Sequence, residues 1–246
     1  MTSLKTPDLE RHKRHLLLKE IGGPGVQKLN AASVSIVGAG ALGGPCAMYL
    51  AAAGVGEIEI WDDDLVDRSN LQRQVQFGEA DIRKEKSKTL AEHLNAQNKA
   101  VSVVHRAERF ASGRQLAGDI VVDATDNYET RFALNAVAHE IGRPLVHGAA
   151  SRWTGQVSTF ASGVEKGAPC YRCWVPEMPP EAEACEDVGV AGPVTGIVAT
   201  HMALEALKLI TGAGEPLIGR LMLLDGLRGT SREIRLRADR QCPVCS

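Results

Sequence analysis

Between Val34 and Asp64 the chain reads VSIVGAGALGGPCAMYLAAAGVGEIEIWDDD, and few folds accommodate such a run. Val34, Ser35, Ile36 and Val37 form a short apolar stretch suited to a buried strand. Gly38, Gly40 and Gly43 follow at G-x-G-x-x-G spacing. An Ala-rich helix is predicted from about Ala41 to Ala53, with Gly54 as its C-terminal stop. A second strand, Glu57 to Trp61, ends in Asp62, Asp63 and Asp64. The whole is one β-α-β unit.

The chemistry of such a unit is anion binding. Gly38 permits a tight turn, Gly40 lets backbone N–H groups approach a phosphate, and Gly43 allows close packing of helix on strand. The helix N-terminus then favours negative charge through its free N–H groups and its dipole. Asp62, 24 residues past Gly38, stands where a carboxylate accepts hydrogen bonds from ribose hydroxyls. The bland alternative is a Gly-rich turn needed only for packing. The fingerprint does not say which nucleotide.

The chain has 246 residues, 44% of them hydrophobic and 24% charged, with formal net charge −2. These values exclude a disordered chain and a strongly basic nucleic-acid binder. The N-terminal segment is charged throughout, with no apolar run ahead of a cleavage site, and no apolar run reaches the length of a membrane span. A cytoplasmic protein without a membrane segment is expected.

Residues 9–20 read as a short amphipathic helix carrying Arg11, Lys13 and Arg14, or, more blandly, a solvated basic face. Gly22, Gly23, Pro24 and Gly25 are expected to break it before a helical piece from Val26 to Ala31. Beyond the acidic loop, Asp67 to Gln74 sits past the carboxyl end of a strand. There Asn70 and Arg73 are candidates for phosphate or ribose contact, or incidental loop residues. Residues 84–97 are predicted helical, with Leu90 and Leu94 inward. Lys84, Lys86 and Lys88 oppose the dipole preference at its start and hint at an anionic ligand. Strands are expected at 101–104, 119–123 and 145–149. Between the last two, Asp126 lies at the sheet's carboxyl edge, able to hold magnesium, although Thr125-Asp126-Asn127 is equally good capping chemistry for a helix beginning near Glu129. Alternation of strand and helix to this point argues for a mainly parallel sheet. After residue 151 the pattern changes: a strand at 156–160, a polar stretch from Pro176 to Asp187, a helix from 194 to 210, and late strands at 221–225 and 232–236, the second alternating. His201, Glu205 and Lys208 argue against a membrane-spanning helix.

Cys170, Cys173, Cys242 and Cys245 make two C-x-x-C pairs in turn-like settings. Together they would complete a tetrahedral zinc site with no open position, a structural site that closes a loop of roughly 70 residues. A redox pair would ordinarily open a helix of a thioredoxin-like unit. Cys46 reads as a small core residue. Cys185 stands among Glu181, Glu183, Glu186 and Asp187, whose charge suppresses the thiolate.

Taken together, these motifs resemble the MoeB/ThiF/HesA family, bacterial relatives of ubiquitin-activating enzymes. The matching residues are Arg11 to Arg14 (R-x-x-R), the glycine fingerprint, the segment WDDDLV, Ser69 to Gln74 (S-N-L-x-R-Q), Lys86, Asp123 to Asn127 (D-A-T-D-N), CYRC and the final CPVC. They span residues 11–245. The resemblance implies one ThiF-type adenylation domain, with a nucleotide-binding half over about residues 1–150 and a carrier-binding half with the zinc site over about 151–246. The implied fold is α/β: a Rossmann-like, mainly parallel sheet flanked by helices, with a C-terminal mixed or antiparallel extension. The implied reaction joins the C-terminal Gly-Gly carboxylate of a small ubiquitin-like sulfur carrier, of the MoaD or ThiS type, to the α-phosphate of ATP. Pyrophosphate leaves, and the product serves molybdopterin or thiamine biosynthesis.

By the same resemblance Gly38, Gly40, Gly43, Asp62, Asp64 and Asn127 cradle the nucleotide, while Asn70, Arg73 and Lys86 meet phosphate oxygens. Asp126 binds magnesium, and Arg14 reaches the partner subunit's triphosphate in a homodimer. Such cations suit a reaction between two anions. Cys185 matches a cysteine that links covalently to the carrier in ThiF-like members. The run Ala184-Cys185-Glu186-Asp187 lacks their basic residue, which places the chain nearer MoeB and puts a catalytic role for Cys185 in doubt. No rhodanese-like domain follows before Ser246, so a separate sulfur donor, a cysteine desulfurase or rhodanese, is expected. Competing readings are an NAD-dependent oxidoreductase, a non-catalytic carrier-binding scaffold, and a tRNA-modifying relative that activates a small carboxylate-bearing substrate.

Overall fold

In chain order the strands are Ser33–Val37 (β1), Glu57–Trp61 (β2), Ser102–Arg106 (β3), Ile120–Asp123 (β4), Leu145–Ser151 (β5), Thr154–Phe160 (β6), Arg220–Asp225 (β7) and Thr230–Arg235 (β8). The helices are Thr6–Arg11 (α1), Lys13–Leu16 (α2), Gly22–Ala31 (α3), Gly43–Ala52 (α4), Lys86–Gln97 (α5), Tyr128–Glu140 (α6), Tyr171–Trp174 (α7) and Gly192–Thr211 (α8). They come from a computed structural model that describes residues 6–178 and 189–246. All eight strands join one sheet in the order β3-β2-β1-β4-β5-β6-β7-β8. The first five are parallel, and β6, β7 and β8 extend the sheet antiparallel from β5.

The buried β1 takes the centre because its residues serve both faces. Val34 and Ile36 join Leu29, Leu50, Ile58, Leu90 and Met202 in one core, under α3, α4, α5 and α8. Val37 joins Val121, Leu134, Leu145, Phe160 and Tyr171 in a second, under α6 and α7. Burying each such Leu or Ile contributes about 1.5–3 kcal/mol, so the sheet is held from both sides. α8 is long and apolar enough to cross a membrane by length and composition. Here it is a core helix, burying Val198, Ala199, Met202 and Ala206.

Several local expectations are corrected. The helix over 9–20 breaks at His12, whose ring is buried, packs against Gly54 and stacks on His15 at 5.5 Å. The run Gly22 to Gly25 does not interrupt a helix but opens α3, with Pro24 in the first turn, where a missing N–H leaves no intrahelical bond unmade. β8 shows no alternating burial: all six residues are exposed, because it is the edge of the sheet. Cys46 is fully buried in α4, and burial pushes its thiol up to about 12.

What positions a site is the strand order. From β1 the chain moves outward to β2 and β3, then returns to place β4 on β1's other side. The connections leave the carboxyl ends of β1 and β4 in opposite directions, and a crevice opens between them.

Candidate active site at the sheet's switch point

The loop after β1 forms the floor. Gly38 has φ +97°, and a side chain there would meet the Ala124 carbonyl oxygen at 2.6 Å. At Gly43 a Cβ would overlap the Gly38 carbonyl oxygen. Gly40 differs: a Cβ would touch only Gln74 Nε2, at 3.5 Å. No described protein group requires glycine there, which fits a ligand lying close to the backbone. Two side chains clamp this loop. Asp62 Oδ2 accepts from Ala39 N at 2.7 Å and its Oδ1 from Asp64 N at 2.9 Å. Gln76 Nε2 donates to the carbonyls of Ala39 at 2.9 Å and Gly40 at 3.0 Å. Burial pushes the Asp62 pKa above its ordinary value, against the pull of Lys86 and these two N–H groups.

Cations stand around the floor. Lys86, the first residue of α5, is nearly buried and pairs with Asp64 at 2.8 Å. Arg73 follows a 3₁₀ turn, Arg68–Asn70, which Asp67 caps by accepting from Ser69 N at 2.8 Å. Its Nη1 donates to the Ser69 carbonyl at 3.2 Å. Arg109 pairs with Asp63 at 3.2 Å. On the opposite wall, Asn127 caps α6 by accepting from Thr130 N at 2.9 Å. Arg131 Nη2 donates to the Thr125 carbonyl at 2.8 Å. Asp126 is exposed and makes no ion pair among the described residues.

These groups enclose a cleft of about 570 Å³, lined by Gly38, Gly40, Asp62, Arg73, Lys86 and Asp126, among others. Asp64 and Asn127 also line it, whereas Gly43 packs behind the floor and Asn70 lies one turn from Arg73, off the wall. The first turns of α5, α6 and α8 reach the cleft through Lys86, Thr130 and Thr195, and α4 begins directly behind its floor. Helix N-termini carry partial positive charge, so the arrangement favours an anion. A second groove, about 720 Å³, shares Asp126 and Arg131 and runs over β6, β7 and β8 past Gln156, Leu223 and Arg232.

Arg14, exposed on α2, is not part of this cleft. Cys185 lies outside the described residues. Sequence reasoning passed over Gln76, Arg109, Phe110 and Arg131. The first was signalled only by following the matched motif at two residues' distance; the rest carried no local signal.

Beside α6, the four cysteines of the two C-x-x-C pairs meet, with all four Sγ atoms within 4.8 Å of one another. Cys170 immediately precedes α7, and the thiol pairs 170/242 and 173/245 stand 3.5 and 3.3 Å apart. Four soft ligands gathered at this spacing suit zinc. Asn135 of α6 fixes the knuckle to the body, accepting from Tyr171 N at 2.7 Å.

A doubly wound sheet with an anion-favouring cleft at its switch point defines a nucleotide-binding α/β protein. This chain belongs to the ThiF family, which matches residues 12–244, as its motifs led us to expect. Its relatives include the SAMP-activating enzyme E1 of Haloferax volcanii, 41% identical over 99% of this chain and 91% of that one. The sulfur carrier protein adenylyltransferase of Thermus thermophilus is 40% identical over 97% of this chain and 91% of its own length. The mouse adenylyltransferase and sulfurtransferase MOCS3 is 42% identical over 99% of this chain, which spans 54% of it. Among solved structures, E. coli MccB with MccA-N7isoASN superposes with TM-score 0.84 at 22% identity, over 99% of this chain and 75% of that one. At that identity the likeness is one of fold.

Proposed function

We propose that this chain adenylates the C-terminal glycine carboxylate of a small ubiquitin-like sulfur carrier, of the MoaD or ThiS type, using ATP and releasing pyrophosphate. The observation that carries the reading is the grouping of the Gly38–Gly40 floor, Arg73, Lys86 and the exposed Asp126 around one cleft. The names of relatives that match nearly the whole chain support it.

In this reading the floor's N–H groups and the helix N-termini receive the phosphates, and Asp62 holds ribose. Arg73 and Lys86 meet phosphate oxygens, and Asn70, off the wall, is assigned no contact. A carboxylate oxygen of the carrier attacks the α-phosphorus as the bond to the β-phosphate breaks. The carrier carboxylate is already ionised at neutral pH, so no side-chain base is required. The residues' work is positioning and charge. Asp126, a hard oxygen donor that makes no ion pair among the described residues, would hold magnesium, which neutralises phosphate charge when bound. The groove over β6, β7 and β8 would receive the carrier, making residues 151–246 the carrier-binding half and about 1–150 the nucleotide-binding half of one domain. The four cysteines would hold a structural zinc. A homodimer in which Arg14 serves the partner's site, a cytoplasmic setting, a separate sulfur donor, and a role in molybdopterin or thiamine biosynthesis complete the reading. Cys185 is assigned no step.

ATP–pyrophosphate exchange with a panel of Gly-Gly-ending carriers tests this. Exchange is expected with one carrier, and Asp126→Ala should reduce it by about 100-fold or more. Stabilisation by NADH with no binding of ATP would overturn the reading, and full exchange by the Asp126 variant would remove that residue's role.

A further inference from the structure

His147 lies opposite Asp123 in the β4–β5 register, and both side chains are fully buried. Its Nδ1 is 2.7 Å from Asp123 Oδ2. Burial pushes the Asp123 pKa up, but the hydrogen bonds from His147 and Thr125 and the nearby Arg131 charge outweigh it and hold the carboxyl below its ordinary range. An ionised carboxylate only accepts, so Nδ1 carries the proton. Burial lowers the pKa of the ring, against the pull of Asp123, and the imidazole is neutral. Its Nε2 makes no hydrogen bond to the described residues, so the bond to Asp123 alone sets the tautomer.

The other oxygen of Asp123 faces the cleft wall. Oδ1 accepts from Thr125 Oγ1 at 2.7 Å and from Thr125 N at 3.1 Å. One carboxylate therefore joins β5 to the turn that carries Asp126. The ring cannot easily swing aside, since Tyr171, Trp174 and Phe160 surround it at 4.9, 6.0 and 6.2 Å. The same turn touches the floor: the Ala124 carbonyl is the atom that forbids a side chain at Gly38. A shift of the turn would thus move the Asp126 wall against the Gly38 floor. Two apolar residues could fill this space without desolvating a charge, so stability alone is a poor reason for the pair.

We propose that His147 is a positioning residue of the nucleotide cleft: through Asp123 it fixes the Thr125 turn and so sets where the Asp126 carboxylate stands. The inference rests on the nucleotide reading above. It makes His147 part of a chain of contacts from the aromatic cluster beside the cysteine knuckle to the cleft.

The test is calorimetric binding of ATP to the full chain, once with magnesium and once with EDTA. His147→Leu removes the donor at similar volume. It should weaken binding of magnesium–ATP about tenfold, as loss of an outer-shell partner does, while leaving binding in EDTA within about twofold. His147→Asn, whose amide nitrogen can stand near the Nδ1 position, should recover most of the affinity. A His147→Leu protein that binds as wild type does, or that loses affinity equally in both conditions, overturns the inference. Thr125→Val removes the Oγ1 bond to Asp123 without touching the histidine. The same magnesium-selective loss is expected from it, and its absence overturns the inference even if His147→Leu fails to fold. Wild-type protein that binds ATP in neither condition overturns the nucleotide reading, and this inference with it.

Discussion

Gly38, Gly40 and Gly43 share one motif yet answer to different constraints. Gly38 is held by its positive φ and by the Ala124 carbonyl and Gly43 by contact with the Gly38 carbonyl, whereas a Cβ at Gly40 would meet no described protein atom closer than 3.5 Å. Gly43→Ala should therefore cost about 3 kcal/mol or more of stability, because backbone must move to admit the methyl group. Gly40→Ala should change stability by no more than about 1 kcal/mol while weakening ATP binding roughly tenfold. Thermal melts and ATP titration of the two variants check both statements. Equal destabilisation would mean that Gly40, too, is a packing glycine. The spacing of the three was visible in the sequence; the division of labour was not, since it depends on what β4 and Gln74 bring within reach of the loop.

At the scale of elements, the cysteine knuckle and α5 show how far local patterns reach. The two C-x-x-C pairs announced the four-cysteine cluster, although Cys170 and Cys242 lie 72 residues apart, because each pair has the internal spacing that two ligands of one metal require. The purified protein should carry about one zinc per chain. Cys245→Ser should lower zinc affinity by more than the roughly 10–100-fold typical of outer-shell changes. Zinc retained undiminished by this variant, measured by metal analysis, would refute a four-cysteine site. The lysines at the start of α5 hinted at an anion, but only the fold separates Lys86, nearly buried beside Asp64, from the exposed Lys84 and Lys88. The helix over 9–20 failed for a related reason. Its amphipathic pattern was real, but tertiary burial of His12 breaks the backbone there.

The whole molecule leaves a lengthwise apolar stripe uncovered. Ile197 and Leu204 on α8 are 40% and 54% exposed, and Tyr49 on the neighbouring α4 is 57% exposed. A stripe of this kind suits the proposed homodimer, which would also give Arg14, absent from its own chain's cleft, a site to serve. Light scattering at micromolar concentration should report a dimer, and Leu204→Glu should shift it toward monomer with a parallel loss of pyrophosphate exchange. A wild-type monomer at that concentration would dismiss both the dimer and the assignment of Arg14.

The β-α-β unit, the class of the sheet and the two cysteine pairs were determined by the sequence alone, because each depends on contacts within a few turns or on side-chain periodicity. Residues brought together across the sheet were decided by tertiary structure. Gln76 reaches the floor from 37 positions away, and His147 meets Asp123 across 24. Gln76 had only its place two residues past a matched motif, and the second meeting has no local signal, for it exists only once β4 has returned to the far side of β1 and β5 has taken its register. Hydrogen bonds set the final geometry of the cleft, but strand order selects which groups are near enough to form them.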